Sequence, residues 1–302
     1  MTAGGYAARA AADTHATVWR SDSMAGVEIT VGVNTGRRCR MLHEAYALCV
    51  VPYSGNADVV LSRWRYRGRD YVYRAGSIGI EEPGEVHMST RVYSPIRYCM
   101  LRVAPEVMEA AAVELGLGRV RFPETLISRP SLYDAFSRFY ESVASDVASL
   151  LERQVRLARL LRLVLTEASV PARDDAPRTT RRSIERARDY LEAHLADPVG
   201  LDELSRVAGL SRFHLSRVFT STYGLSPHAY QNQLRLRTIR EWLRRGTPLE
   251  TIEAGFFDQS HLIRHFRDSI GMTPGTFASP GTRLPPLDHP SARAFRTAGA
   301  DA

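Results

Sequence analysis

The chain has 302 residues, 44% hydrophobic and 24% charged, with 40 basic against 33 acidic side chains and a formal net charge of +7. That composition excludes a wholly disordered chain and fits two domains of roughly 100–200 residues each. Every basic residue is Arg, so each cation is a planar fork suited to phosphates and base edges, but a basic balance only permits nucleic-acid binding. The longest apolar run, Ala45–Val51, is far below the roughly 18 residues of a membrane span. The Ala-rich N-terminus carries Arg9 and Asp13 and has no apolar signal core. Cys39, Cys49 and Cys99 are odd in number and lack a CxxC pair, which argues against a disulfide framework or structural zinc and for a reducing cytoplasm.

Residues 1–25 are weakly patterned and read as an arm. From Val27 to about Val103 the pattern is β. Val27, Ile29, Val31 and Val33 alternate, and Ala45–Val51 is an apolar run closed by Pro52. In Val60–Tyr66, Arg63 and Arg65 take one face while Trp64 and Tyr66 take the other. Arg67-Gly68-Arg69-Asp70 is a turn from which Tyr71–Tyr73 returns, and Tyr98–Val103 is a further strand. Many short strands with turn signals predict a barrel or sandwich.

Residues 105–169 are helical, with Pro105 at a first turn and Gly116 and Gly118 as stops. Leu132–Leu151 and Gln154–Ala168 give one or two long amphipathic helices. On the last, Leu157, Leu160, Leu161, Val164 and Leu165 form a stripe that packs either on its own barrel or on a second copy of the chain. Residues 171–182 read as a linker, 183–279 as a second, helical domain, and 280–302 as a loose tail.

The helical domain contains a duplication. His214, Leu215, Arg217, Phe219, Gly224 and Pro227 recur as His261, Leu262, Arg264, Phe266, Gly271 and Pro274, always 47 residues on. Each unit reads as a helix-turn-helix. In the first, Leu201, Leu204 and Ala208 point inward, Gly209 makes a turn that needs positive φ, and Ser211 caps a second helix. That helix buries Leu215, Val218 and Phe219 and leaves Arg212, Phe213, Ser216 and Arg217 outside, a set suited to the major groove. In the second, Gly255-Phe256 makes the corner, Asp258 or Ser260 caps, and Gln259, Ser260, His261 and Arg264 face outward. Ser226–Arg245 joins the units as a 20-residue helix of about 30 Å, close to the ~34 Å between successive major grooves on one DNA face. Residues 181–283 carry 15 Arg against 11 acidic residues, so binding to double-stranded DNA rests on specific contacts as well as on salt.

Gly-Leu-Ser-Arg-Phe-His-Leu-Ser-Arg-Val-Phe (209–219), Gly-Leu-Ser-Pro (224–227), Gly-Phe-Phe-Asp-Gln-Ser-His-Leu-Ile-Arg-His-Phe (255–266) and Gly-Met-Thr-Pro (271–274) resemble the AraC/XylS family of bacterial transcription regulators. The resemblance implies base-reading roles for Phe213, Ser216 and Arg217 and for Ser260, His261 and Arg264. One departure stands out: Leu201 to Gly209 spans eight residues, Leu249 to Gly255 only six, which puts the packing of the second unit in doubt.

The N-terminal half, residues 1–170, resembles that family's cupin-like sensing domain through Glu82-Pro83-Gly84-Glu85-Val86-His87 and Leu42-His43-Glu44-Ala45-Tyr46. The expected fold class is thus α+β, a cupin-like β-barrel with long helices followed by an all-α domain of two helix-turn-helix units. Candidate effector-binding residues are His43, Tyr46, Trp64, Tyr66, His87 and Tyr98, with ordinary core packing as the competing role. No catalytic constellation, metal set or cofactor is expected, since His43 has no His two residues away. Cys39 lies beside Arg37, Arg38 and Arg40, which would lower its pKa if it sensed oxidants; inert packing is the alternative. The resemblance implies a cytoplasmic regulator, an activator foremost, that binds DNA and a small-molecule effector, forms a homodimer and meets RNA polymerase. The alternatives are a regulator whose first domain only dimerises and, remotely, a metal-dependent cupin enzyme.

Overall fold

The computed structural model describes residues 15–285, apart from 36–39, 53–59, 94–95, 146, 172–177, 253–255, 257, 280 and 282–283. Strands β1 (His15–Arg20), β2 (Val27–Thr35), β3 (Arg40–Leu42), β4 (Tyr46–Val50), β5 (Val60–Tyr66), β6 (Arg69–Arg74), β7 (Ile78–Glu81), β8 (Val86–Val92) and β9 (Ile96–Val103) come first. Short pieces β10 (Val120–Arg121), β11 (Leu126–Ile127) and β12 (Val170–Pro171) follow among helices α1 (Pro105–Glu114), α2 (Pro130–Ala144) and α3 (Leu150–Ala168). The strands form one sheet in the order β1-β2-β9-β4-β7-β11 and another in the order β3-β8-β5-β6. Among the described residues no ladder joins the two sheets, so the expected barrel is not closed. The edge strands β3 and β11 have three and two residues, too few to carry a continuous ladder from one sheet to the other.

The expected N-terminal arm contains β1, which is a strand because both of its faces are covered. Trp19 is buried among sheet and helix residues, while its neighbour Val18 points the other way into the C-terminal helices. The apolar run of β4 is explained likewise. Tyr46, Leu48 and Val50 face the helices, and Ala47 and Cys49 face the space between the sheets beside Met100.

The long helical stretch is broken at 145–149, where the Ser149 hydroxyl accepts the Glu152 N–H at 3.1 Å and starts α3. Leu157, Leu160, Leu161, Val164 and Leu165 are all buried against Leu132, Phe136 and Phe139 of α2. The stripe therefore packs within its own chain, on α2, which leaves these five residues unavailable as a dimer seam.

Helices α4 (Arg178–Ala193), α5 (Leu201–Ala208), α6 (Arg212–Tyr223), α7 (Pro227–Arg244), α8 (Gln259–Ile270) and α9 (Pro274–Ala278) complete the chain. Helix α4 begins inside the stretch read as a linker, helped by an Arg181–Glu185 pair one turn apart. The tail is not loose where it is described. The Gly281 N–H donates to the Val18 carbonyl at 2.8 Å, Tyr140 donates to the Pro285 carbonyl, and Leu284 is buried in the sheet–helix core. Helix α7 serves two cores. Tyr230 and Leu234 pack with Ile184, Leu204, Leu215 and Phe219, while Leu236, Ile239 and Leu243 pack with Leu262, Phe266 and Phe277.

Candidate nucleic-acid interface

The first corner is built as its residue types require. Gly209 closes α5 at φ 67°, a left-handed conformation that a side chain would strain. The Ser211 hydroxyl accepts the His214 N–H at 3.3 Å, and Leu215 and Phe219 are fully buried. Leu201 departs from expectation, being 41% exposed at the helix start. Arg212, Phe213 and Arg217 are exposed and Ser216 is half-buried. Phe213 is 90% exposed, an apolar ring held in water on the face that also carries Arg217. Arg212 pairs with Asp202 at 2.7 Å, both in solvent, where the pair contributes little and yields readily to a phosphate.

The second corner repeats the caps. The Asp258 carboxylate, not Ser260, accepts the His261 N–H at 2.6 Å, and Gly271 closes α8 at φ 84° as Gly224 closes α6 at φ 72°. Gln259, Ser260 and Arg264 are exposed. His261 is half-buried, with its ring 5.7 Å from Phe256 and 4.4 Å from His265. Gly255 lies outside the described residues; before it, Leu249–Thr251 form one 3-10 turn where the first unit has α5.

Helix α7, 18 residues or about 27 Å long, connects the units. Its polar side is anchored in the N-terminal half. Glu28 of β2 accepts from Arg20 Nε at 2.6 Å and Arg102 Nη1 at 2.8 Å and pairs with Arg244 Nε at 3.3 Å. Glu44 pairs with Arg244 Nη1 at 3.3 Å and with Arg240. Burial alone would raise the Glu28 carboxyl, but Arg102, Arg244 and Arg20 together hold it at about 2. Burial pulls the Arg240 guanidinium down to about 10 against the attraction of Glu44, which leaves it charged at neutral pH. These side chains line a cavity of about 850 Å³ between the two halves. Sequence reasoning missed them. The available signal was Glu28 between buried Val27 and Ile29, and Arg240 and Arg244 one turn apart beside the buried Ile239 and Leu243 of a long helix.

Of the effector candidates, His43, His87 and Trp64 come together between the sheets. The His43 Nε2 and His87 Nδ1 atoms are in hydrogen-bond contact, and the Trp64 ring lies 4.6 Å from that of His87. Tyr66 is buried nearby and its hydroxyl accepts the Glu82 N–H. Tyr98 lies over Gly32, where a Cβ would meet its ring at 2.3 Å. Tyr46 is on the other face of its sheet, edge-on to Phe122, and is not part of this group. Only His43 of the six also lines the cavity between the halves. Among the described residues no group of three or more His, Cys, Asp or Glu is placed to hold a metal ion. Cys99 is buried and its thiol is pushed well above its ordinary value by that burial, which disfavours the reactive thiolate; Cys39, with Arg37 and Arg38, lies outside the described residues.

The same inter-sheet space holds Glu81, whose Oε1 accepts the Tyr73 hydroxyl at 3.0 Å. Burial raises its carboxyl to about 8, so the folded chain keeps a proton that the unfolded chain releases near its ordinary value of 4.5. Stability on this account falls as pH rises from about 4.5 to about 8. The His pair acts oppositely. Burial, then Arg102, lowers His87 to about 3, so stability falls as pH drops below its ordinary 6.5. Glu81→Gln keeps an acceptor for Tyr73 without the titration. Its melting temperature relative to the parent is expected to increase between about pH 6 and pH 8, and a constant difference would mean that Glu81 ionises freely in the fold.

Residues 204–279 match the family model described as a helix-turn-helix domain. The chain is 26% identical over 199 residues to the helix-turn-helix-type transcriptional regulator YbfI of Bacillus subtilis, covering 64% of this chain and 72% of that protein. It is 38% identical over 89 residues to the bifunctional transcriptional activator/DNA repair enzyme Ada of Escherichia coli, and there it spans 29% of this chain and only 25% of that protein. The apo form of a lysine-to-alanine variant of ToxT from Vibrio cholerae aligns over 84% of this chain and 97% of its own with a TM-score of 0.53 at 10% identity, a likeness of fold. With its duplicated corners, its exposed Arg-bearing helices and these relatives, the C-terminal part of the chain is a tandem helix-turn-helix domain similar to those of AraC-family transcription regulators.

Proposed function

We propose that the chain regulates transcription, as an activator and a homodimer that contacts RNA polymerase, under the control of an anionic small molecule. The carrying observation is the cavity between the halves. Among the described residues six arginines and five acidic residues line it, and four of the guanidinium groups, from Arg20, Arg102, Arg240 and Arg244, converge on the two carboxylates of Glu28 and Glu44. Arg20 Nη2 and Arg240 Nε are buried without a hydrogen-bond partner among the described residues. A surplus of buried, under-used donors favours a carboxylate or phosphate. The fold neighbour ToxT has also been crystallised with an unsaturated fatty acid bound, with a TM-score of 0.52 at 10% identity, which supports the choice of carboxylates as first probes. An occupant would touch both the N-terminal half and α7, and so bias how the reading helices are presented.

The test uses the full chain with an unsaturated fatty acid, a short-chain carboxylate and inorganic phosphate in turn. At least one is expected to raise the melting temperature and to change affinity for the chain's own upstream DNA, and Arg240→Ala should remove both responses. If none changes either quantity, the reading of the cavity as an anionic effector site falls and the alternative of an effector-free first domain is favoured. Sedimentation at micromolar concentration decides between monomer and dimer.

A further inference from the structure

Among the described residues, the second reading unit has no counterpart of the helix that completes the first. In the first unit α5 lays Leu204 and Ala208 against Leu215 and Phe219 of α6. In the second, the corresponding stretch supplies one 3-10 turn, followed by Ile252, to the core of Leu262 and Phe266. Two helices and a turn leave part of that apolar face open to water.

The N-terminal half closes it. Val18 of β1 is 1% exposed and Met41 of β3 is 4% exposed, and both belong to the core that contains Leu236, Leu262, Phe266 and Phe277. Arg20 of β1 stacks its guanidinium 4.3 Å from the Phe277 ring centroid, and its Nη1 donates to the Phe277 carbonyl at 3.0 Å. Gln233 of α7 ties three elements together. Its Oε1 accepts the Leu42 N–H at 3.2 Å, and its Nε2 donates to Ser269 Oγ of α8 at 2.9 Å. Beyond α9, Gly281 and Leu284 return the chain to β1 and the sheet–helix core. Leu42 and Val86 also touch the first unit's core, but there they add to a pair of helices that is already whole.

We propose that strands β1 and β3 act as the missing element of the second helix-turn-helix, so that α8 keeps its reading geometry only while the two halves are docked. The first unit carries its own α5 and reads without them. Undocking then shortens the DNA segment read from two patches to one instead of abolishing binding. This rests on α6 and α8 reading DNA and is independent of the effector.

The experiment is hydrogen exchange on the full chain, followed by footprinting on its upstream DNA. In a Val18→Ala/Met41→Ala double variant, amides of α8 and α9 are expected to exchange about tenfold faster or more while those of α6 hold, and protection should shrink to one patch. Arg20→Ala, which removes the Phe277 contacts together with the Glu28 pair and leaves both apolar cores filled, should, with no small molecule added, move the same amides in the same direction and covers the case in which the double variant fails to fold. If α6 and α8 accelerate together, or neither does, the inference is overturned. If α8 responds but the parent chain never protects two patches, the scaffold stands and the reading role of α8 falls.

Discussion

Replacing Glu28 with alanine is expected to lower the unfolding free energy by about 3–5 kcal/mol, because it leaves buried guanidiniums uncompensated. Arg20, Arg102 and Arg244 all pair with that one carboxylate. Among the described residues no other acidic group within 4.0 Å replaces it for Arg20 or Arg102, whereas Arg244 keeps Glu44. Glu28→Gln should cost less, since the amide oxygen still accepts one hydrogen bond. The pH dependence gives a second handle. A carboxyl held at about 2 stabilises the fold fully above its ordinary 4.5, and that contribution is lost as pH falls through about 2. Urea unfolding at about pH 7 and about pH 3 should therefore show a larger gap between parent and variant at the higher pH. A loss below about 1 kcal/mol at neutral pH would mean that water in the cavity resolvates the three arginines.

Arg217→Ala should weaken binding to the specific site by about 1–3 kcal/mol, roughly 5- to 150-fold, and relax the preference at one base pair. The side chain is exposed near the middle of α6, on the helix face that Phe213 also occupies. Arg217→Lys should recover little, because an ammonium lacks the two-pronged geometry that matches guanine. Competition assays at fixed salt against scrambled duplex check this. Equal weakening on both duplexes would reassign Arg217 to a phosphate. The matched change Arg264→Ala is expected to cost less if docking of the halves is incomplete in solution, and as much if it is complete.

The reading units were legible because their chemistry is local. A left-handed Gly209, the Ser211 and Asp258 caps and the inward Leu215/Phe219 and Leu262/Phe266 pairs follow from spacing over a dozen residues. Strand alternation in Val60–Tyr66 likewise places Trp64 and Tyr66 opposite Arg63 and Arg65. What was not legible depends on distant partners. Val18 and Trp19 are adjacent, yet each needs a different neighbour to be buried, and the sequence around them offers neither. The Leu157–Leu165 stripe has the pattern of a seam whether it meets α2 or a second chain. His43 and His87 meet because Met41 pairs with His87 across β3 and β8, a register set by three residues. Glu28 and Arg244 lie 216 positions apart, and nothing short of the fold brings them together.

The return of the chain after α9 has a kinetic consequence. The second unit is a segment fixed at both ends, by Arg240 and Arg244 on one side and by Gly281 and Leu284 on the other. When it lifts off β1 and β3 it cannot diffuse away. Its tethers hold it at an effective concentration of order millimolar, and lengthening such a loop lowers that value only slowly. Release and recapture are then first-order events, with rates that do not change on dilution of the protein. Two chains exchanging their second units, by contrast, would show a rate that rises with concentration.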